Sequence, residues 1–80
     1  MLVKIKSYGT FRRISETFDL EIPERSTVGQ LKTLMSHQLQ GQDVLLVFDS
    51  VLANNQRILS DEDIVNAEDD LSILPPVCGG

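Results

Sequence analysis

Apolar and polar residues alternate over the first run of the chain, Leu2 to Tyr8 (LVKIKSY), and a period of two is the mark of a half-buried strand. Gly9 and Thr10 break the run. Alternation resumes from Thr17 to Ile22, with Phe18, Leu20 and Ile22 on one face and Thr17, Asp19 and Glu21 on the other, so these two runs predict an N-terminal hairpin. Pro23 ends the second strand, and Thr27 followed three residues later by Gln30 forms the capping-box pattern that opens a helix. Val28, Leu31, Leu34, Met35 and Leu39 then recur at spacings of three and four as one apolar stripe, with Gly41 as its stop. The unbroken run Val44, Leu45, Leu46, Val47 and Phe48 is short for an independent helix and predicts a strand covered on both faces. From Asp49 to Asp70 turn residues dominate, Asn54 and Asn55 among them. Within that segment Ile58, Leu59, Ile64 and Val65 are expected core anchors, and Ser60 is the expected cap of a short helical turn. Leu71 to Leu74 supply the closing strand.

Strand, strand, helix, strand, irregular segment, strand is an order with one economical packing. It is the α+β arrangement called β-grasp, a mixed sheet of four to five strands with one main helix packed on one face. A small ferredoxin-like fold would need a second full helix, and Asp61 to Asn66 is too short to supply it. The expected domain covers residues 1–74, leaving residues 75–80 as a flexible C-terminal tail.

Composition narrows the function classes. A chain of 80 residues has room for one domain and buries only a little over ~60% of its unfolded surface, which leaves little volume for an internal catalytic cavity. No apolar run approaches the ~18 residues of a membrane span, and the N-terminus lacks the apolar stretch of a signal peptide, so the expected setting is the cytoplasm, away from membranes. One cysteine, Cys78, and one histidine, His37, cannot form an intrachain disulfide or an all-soft-ligand zinc site, so no metal is expected. The net charge of -5 and the scattered basic residues oppose nucleic-acid binding.

The tail carries the chemistry. Pro75 and Pro76 lack a backbone N–H and fix φ, so they end the last strand and launch the chain outward. The six residues from Pro75 to Gly80, at roughly 3.1–3.5 Å each, reach about 20 Å, enough to thread a partner's pocket while the body docks outside. Gly79 and Gly80 have no Cβ and pass a narrow channel. What they deliver is one carboxylate, a poor electrophile until it is activated.

Element order, length and the ending Pro75-Pro76-Val77-Cys78-Gly79-Gly80 resemble the MoaD/ThiS-like ubiquitin-like sulfur carriers, and within them the molybdopterin synthase small subunits, which typically finish in Pro-Pro-Val, a small residue and Gly-Gly. The resemblance implies that a ubiquitin-activating-type (MoeB-like) adenylyltransferase uses ATP to activate Gly80. A persulfide donor protein then supplies sulfur to make a thiocarboxylate, and the larger (MoaE-like) synthase subunit transfers that sulfur to a pterin precursor of the molybdenum cofactor. The chain itself would be a carrier, not an enzyme, with no bound cofactor. Two positions depart from the family pattern: Glu68 stands where a Gly usually precedes the acidic pair before the last strand, and Cys78 replaces the usual Ser, Thr or Ala.

Several residues have competing readings. Cys78 is either a sulfur carrier itself or a slim filler; His37 is a surface residue lying off the apolar stripe. Asp61, Glu62 and Asp63 either form a docking patch for a basic partner or stabilise a local turn. If the helix covers one side of the sheet, Val44 to Phe48 would expose an apolar face for the larger subunit. Two other functions use the same tail: a ubiquitin-like modifier joined through Gly80 to lysines of target proteins, and a noncovalent module whose C-terminal carboxylate is captured in a backbone nest.

Overall fold

Both alternating runs form strands. In the computed structural model, which describes residues 1–39 and 41–76, β1 (Leu2–Ser7) and β2 (Thr17–Glu21) pair antiparallel with Val3 opposite Leu20 and Ile5 opposite Phe18. Val3, Ile5, Phe18 and Leu20 are buried, while Leu2, Lys4, Lys6, Asp19 and Glu21 are exposed on the opposite face. A 3₁₀ turn over Gly9–Arg13 joins the strands and inserts Phe11 fully into the core.

The helix opens where the capping pattern places it. Thr27 Oγ1 accepts from the Gln30 N–H at 3.2 Å, and Gln30 Oε1 accepts from the Thr27 N–H at 2.9 Å, satisfying two donors at the start of α1 (Val28–Ser36). Val28, Leu31 and Met35 are fully buried, with Leu34 and Leu39 packed partly against the core. The helix stops before the stripe does: His37 is its C-cap and is exposed, so Leu39 lies beyond it.

Val44 to Phe48 do not form a strand. They lie in a second helix, α2 (Gln42–Asp49), beside α1. Gly41, read as the stop of the first helix, is the N-cap of the second at φ +63°, and Asp43 sits in the first turn near the positive end of the helix dipole. A five-residue apolar run had suggested a strand, but polar neighbours on both sides extend it to eight helical residues. Only Val47 is buried; Val44 and Leu46 are half-buried, and Leu45 and Phe48 are exposed, as a helix with one face inward requires.

The third and fourth strands lie instead in the segment read as irregular. β3 (Val51–Ala53) and β4 (Ile58–Leu59) form a hairpin whose turn is built on Asn54: its Oδ1 accepts from the N–H of Gln56 at 2.9 Å and of Arg57 at 2.8 Å. β5 (Leu71–Leu74) closes the sheet, parallel to β1 and antiparallel to β3, in the order β2-β1-β5-β3-β4. This is the expected β-grasp arrangement, with α2 as a second helix beside α1 among the described residues.

Of the expected anchors, Leu59 and Val65 are buried, whereas Ile58 and Ile64 are exposed. Residues 60–63 form a turn rather than a helical segment capped by Ser60: Asp63 Oδ2 accepts from the Ser60 N–H at 2.7 Å and from Ser60 Oγ at 3.2 Å. The same segment supplies carbonyls to the start of α1, with Val28 N–H donating to Asp63 O at 2.9 Å and Gly29 N–H to Asp61 O at 3.0 Å. Before β5, Asp69 N–H donates to Asn66 O at 3.1 Å, and neither Glu68 nor its neighbours take positive φ, so the turn closes without the glycine usual there.

Candidate functional site at the base of the tail

β5 ends at Leu74, immediately before Pro75. Tyr8 N–H donates to Ile73 O at 3.1 Å, fixing the strand's end against the residues that follow β1. Next to that bond Gly9 takes φ +57°, and a Cβ built there would lie 2.7 Å from Pro75 Cγ and 2.9 Å from Pro75 Cδ. The first tail residue therefore rests on a backbone stripped of side chain. Gly9 had signalled only a strand break; its packing role has no trace in local pattern, because its neighbour lies 66 positions along the chain. Val77, Cys78, Gly79 and Gly80 lie outside the described residues.

The face of the sheet opposite the buried core divides into two halves. Val51 pairs with Leu74, and Ala53 with Ser72 and Ile58, so Val51, Ala53, Ile58 and Leu74 share that face. Ile58 is 68% exposed. An apolar patch thus adjoins the point where the tail begins. Sequence reading missed it because β3 and β4 are too short to show a period. The other half carries Lys4, Lys6 and Tyr8, with Lys6 Nζ 5.4 Å from the Tyr8 ring centroid, and a groove there runs past Arg12 to Asp69 and Asp70. The α2 residues Leu45 and Phe48 form a separate exposed pair, and Val47, being buried, has no surface to offer a partner.

The acidic run is largely occupied within the fold. Asp61 Oδ1 lies 3.0 Å from Lys32 Nζ, and Lys32, itself buried, also donates to Ser50 O at 2.8 Å. Asp63 receives Arg57 Nη1 at 3.0 Å and Nη2 at 3.2 Å. That fork, with the Ser60 N–H, lowers the Asp63 pKa to about 2 and raises that of Arg57. These pairs support the local-turn reading of Asp61 and Asp63. Among the described residues no group of three His, Cys, Asp or Glu side chains is placed to hold a metal ion, and no helix is long and apolar enough to cross a membrane.

The family model of ThiS matches residues 5–80. No curated protein matches the sequence. Among solved structures the chain is similar to SAMP1, the small archaeal modifier protein 1, from Haloferax volcanii, at 20% identity and a TM-score of 0.71 over 100% of both chains. It is also similar to a candidate molybdopterin converting factor subunit 1 from Pyrococcus furiosus, at 22% identity and a TM-score of 0.67 over 96% of this chain and 99% of that one. A third likeness is to a complex of subunits 1 and 2 of the molybdopterin-converting factor from Helicobacter pylori, at 23% identity and a TM-score of 0.64 over 100% of both chains.

Proposed function

The chain belongs to the ThiS family, and from that premise we propose that it is a sulfur carrier whose Gly80 carboxylate is adenylated and converted to a thiocarboxylate. The carboxylate oxygen attacks the α-phosphorus of ATP on a partner adenylyltransferase and pyrophosphate leaves. The terminal sulfur of a persulfide donor then displaces AMP, and a thiol attacks the donor's sulfur in the resulting S–S bond, forming a disulfide with the donor and leaving the thiocarboxylate on Gly80. Sulfur passes next to a pterin precursor on a larger synthase subunit, for molybdenum-cofactor synthesis. The chain contributes delivery, and ATP is bound by its partner. The observation that carries this reading is the sequence Pro75-Pro76-Val77-Cys78-Gly79-Gly80, which follows in the chain directly on Leu74, the end of β5.

The large subunit as partner draws support from the Helicobacter pylori protein, whose structure is described as a complex of two subunits. The apolar patch of Val51, Ala53, Ile58 and Leu74 suits that docking better than α2 does, because it includes the residue from which the tail departs. A second reading, conjugation of activated Gly80 to lysines of other proteins, draws support from the likeness to a small archaeal modifier protein. The adenylate is common to both, and the nucleophile decides.

Intact-mass analysis of the protein recovered from its native cell separates the readings: one oxygen exchanged for sulfur supports the carrier, and a lysine adduct supports the modifier. Cys78→Ser is expected to keep ATP-dependent sulfur acquisition, and deletion of Gly80 to eliminate it with the fold intact. If Cys78→Ser is inactive while the Gly80 deletion still gains sulfur, the thiol is the carrier and the proposal fails.

A further inference from the structure

We infer that Gly9 is a positioning residue for the tail: its bare Cα is the seat of the Pro75 ring, and that seat fixes where the chain leaves the sheet at Pro75. The inference rests on the sulfur-carrier reading for its consequence, while the seat itself rests on geometry. A side chain at Gly9 would place its Cβ 2.7 Å from Pro75 Cγ and 2.9 Å from Cδ. The pyrrolidine ring is closed onto its own backbone, so it cannot swing aside without moving the chain that carries it. Gly9 presents this surface at φ +57°, a conformation glycine adopts freely and most residues do not.

The contact works together with a hydrogen bond. Tyr8 N–H holds Ile73 O at 3.1 Å, two residues before Pro75, and Pro75 has no N–H with which to continue the ladder. Gly9 thus restrains Pro75 by contact, where Pro75 itself has no N–H to donate. Relief of that contact moves the point from which the tail starts. A displacement of ~1 Å at a reacting group costs on the order of a hundredfold in rate. Misdirection at Pro75 would leave the docking face unchanged while the Gly80 carboxylate misses the nucleotide.

A double-mutant cycle tests the seat. Gly9→Ala adds the Cβ, and Gly9→Asn adds the same Cβ on a residue that tolerates positive φ, separating collision from backbone strain. Each is made alone and with Pro75→Ala, and ATP-dependent thiocarboxylation of the full chain is followed at varied carrier concentration, using the adenylyltransferase and sulfur donor of its native cell. Gly9→Asn is expected to lower kcat about tenfold or more with KM changed less than about twofold. In the Pro75→Ala background the same substitution is expected to cost less than about threefold. Equal losses in both backgrounds, an unchanged kcat, or a loss confined to KM overturns the inference. The amide resonances of Ile73 and Leu74 report the seat without any enzyme: they should shift in Gly9→Asn and move back when Pro75→Ala is added, and unmoved signals overturn the seat. Where the wild-type chain gains no sulfur, the carrier reading fails by itself and these resonances still decide the geometry.

Discussion

Lys32→Met is expected to destabilise the domain, through a carbonyl rather than through the ion pair. Lys32 is 6% exposed, and its ammonium donates to Ser50 O at 2.8 Å and Asp61 Oδ1 at 3.0 Å. The two partners sit in different surroundings. The Asp61 side chain is 65% exposed, so it rehydrates when the lysine goes, and a pair of that kind is worth about 0–1 kcal/mol. The bond to Ser50 O is buried, and an acceptor left there unsatisfied costs about 1–3 kcal/mol. Methionine fills similar volume and relieves the desolvation of a buried ammonium, which offsets part of that loss. The net expectation is a loss of about 1–2 kcal/mol. In a domain this small, that corresponds to a fall in Tm of about 5–15 °C.

Urea unfolding followed by circular dichroism, with a thermal scan, measures the effect. Asp61→Asn is the internal control: it leaves the Ser50 bond in place and should cost less than about 1 kcal/mol. Ser50 directly precedes β3, so the Lys32 bond ties α1 to the strand that carries part of the apolar outer face. The reasoning is refuted by a Lys32→Met variant as stable as wild type, or by an Asp61→Asn variant that loses as much as Lys32→Met.

Ile58→Asp should leave stability within about 0.5 kcal/mol, as an exposed substitution does, yet abolish capture of a co-expressed large synthase subunit. Leu45→Asp and Phe48→Asp should retain capture, and the reverse outcome in pull-downs would place docking on α2. Asp63, lowered from 3.8 to about 2 in the fold, binds its proton more weakly folded than unfolded, so its stabilisation is complete above pH 3.8 and is lost as pH falls through about 2. Asp63→Asn should therefore flatten the stability-against-pH curve over that window in urea titrations, and an unaltered slope would disprove the assignment. Thr27→Ala should cost about 0.5–2 kcal/mol by unfolding the capping box, with unchanged urea midpoints counting against it.

The hairpin and the capped helix were legible because each carries a long signal, five or six alternating positions or a cap followed by a stripe of 3.6 period, and the four residues of the closing strand were legible because Pro75 ends them. β3 and β4 were not, since strands of three and two residues are too short to show a period. What defines them is pairing across the sheet, Leu52 with Ile73 and with Leu59, which sequence spacing does not contain. Val44 to Phe48 misled for the opposite reason. Five apolar residues in a row fit a doubly covered strand and a buried helix turn equally well, and Gly41, with φ +63°, turned out to open an element rather than close one. At the site, the tail motif was readable from its residue types, while the Gly9 seat and the patch around Ile58 arise only when β1, β3, β4 and β5 are brought together.

That convergence bears on why the tail grows from this strand. β5 is flanked by β1 on one side and β3 on the other, so the chain reaches Leu74 with pairing along both edges. An edge strand would leave one row of N–H and C=O groups unpaired, and its end would open at lower cost. Inside the sheet β5 runs parallel to β1, and a parallel pair needs a long crossover, which the helices and the β3–β4 hairpin supply. The same placement puts Leu74 on the outer face beside Val51. A partner that covers Ile58 and Leu74 would therefore grip the final residue of the strand from outside, while Gly9 supports Pro75 one residue on. On the proposed reading, a substitution that moves the Leu74 side chain should weaken docking and delivery together, Gly9→Asn, which acts on Pro75, should weaken delivery alone, and one confined to α2 should affect neither.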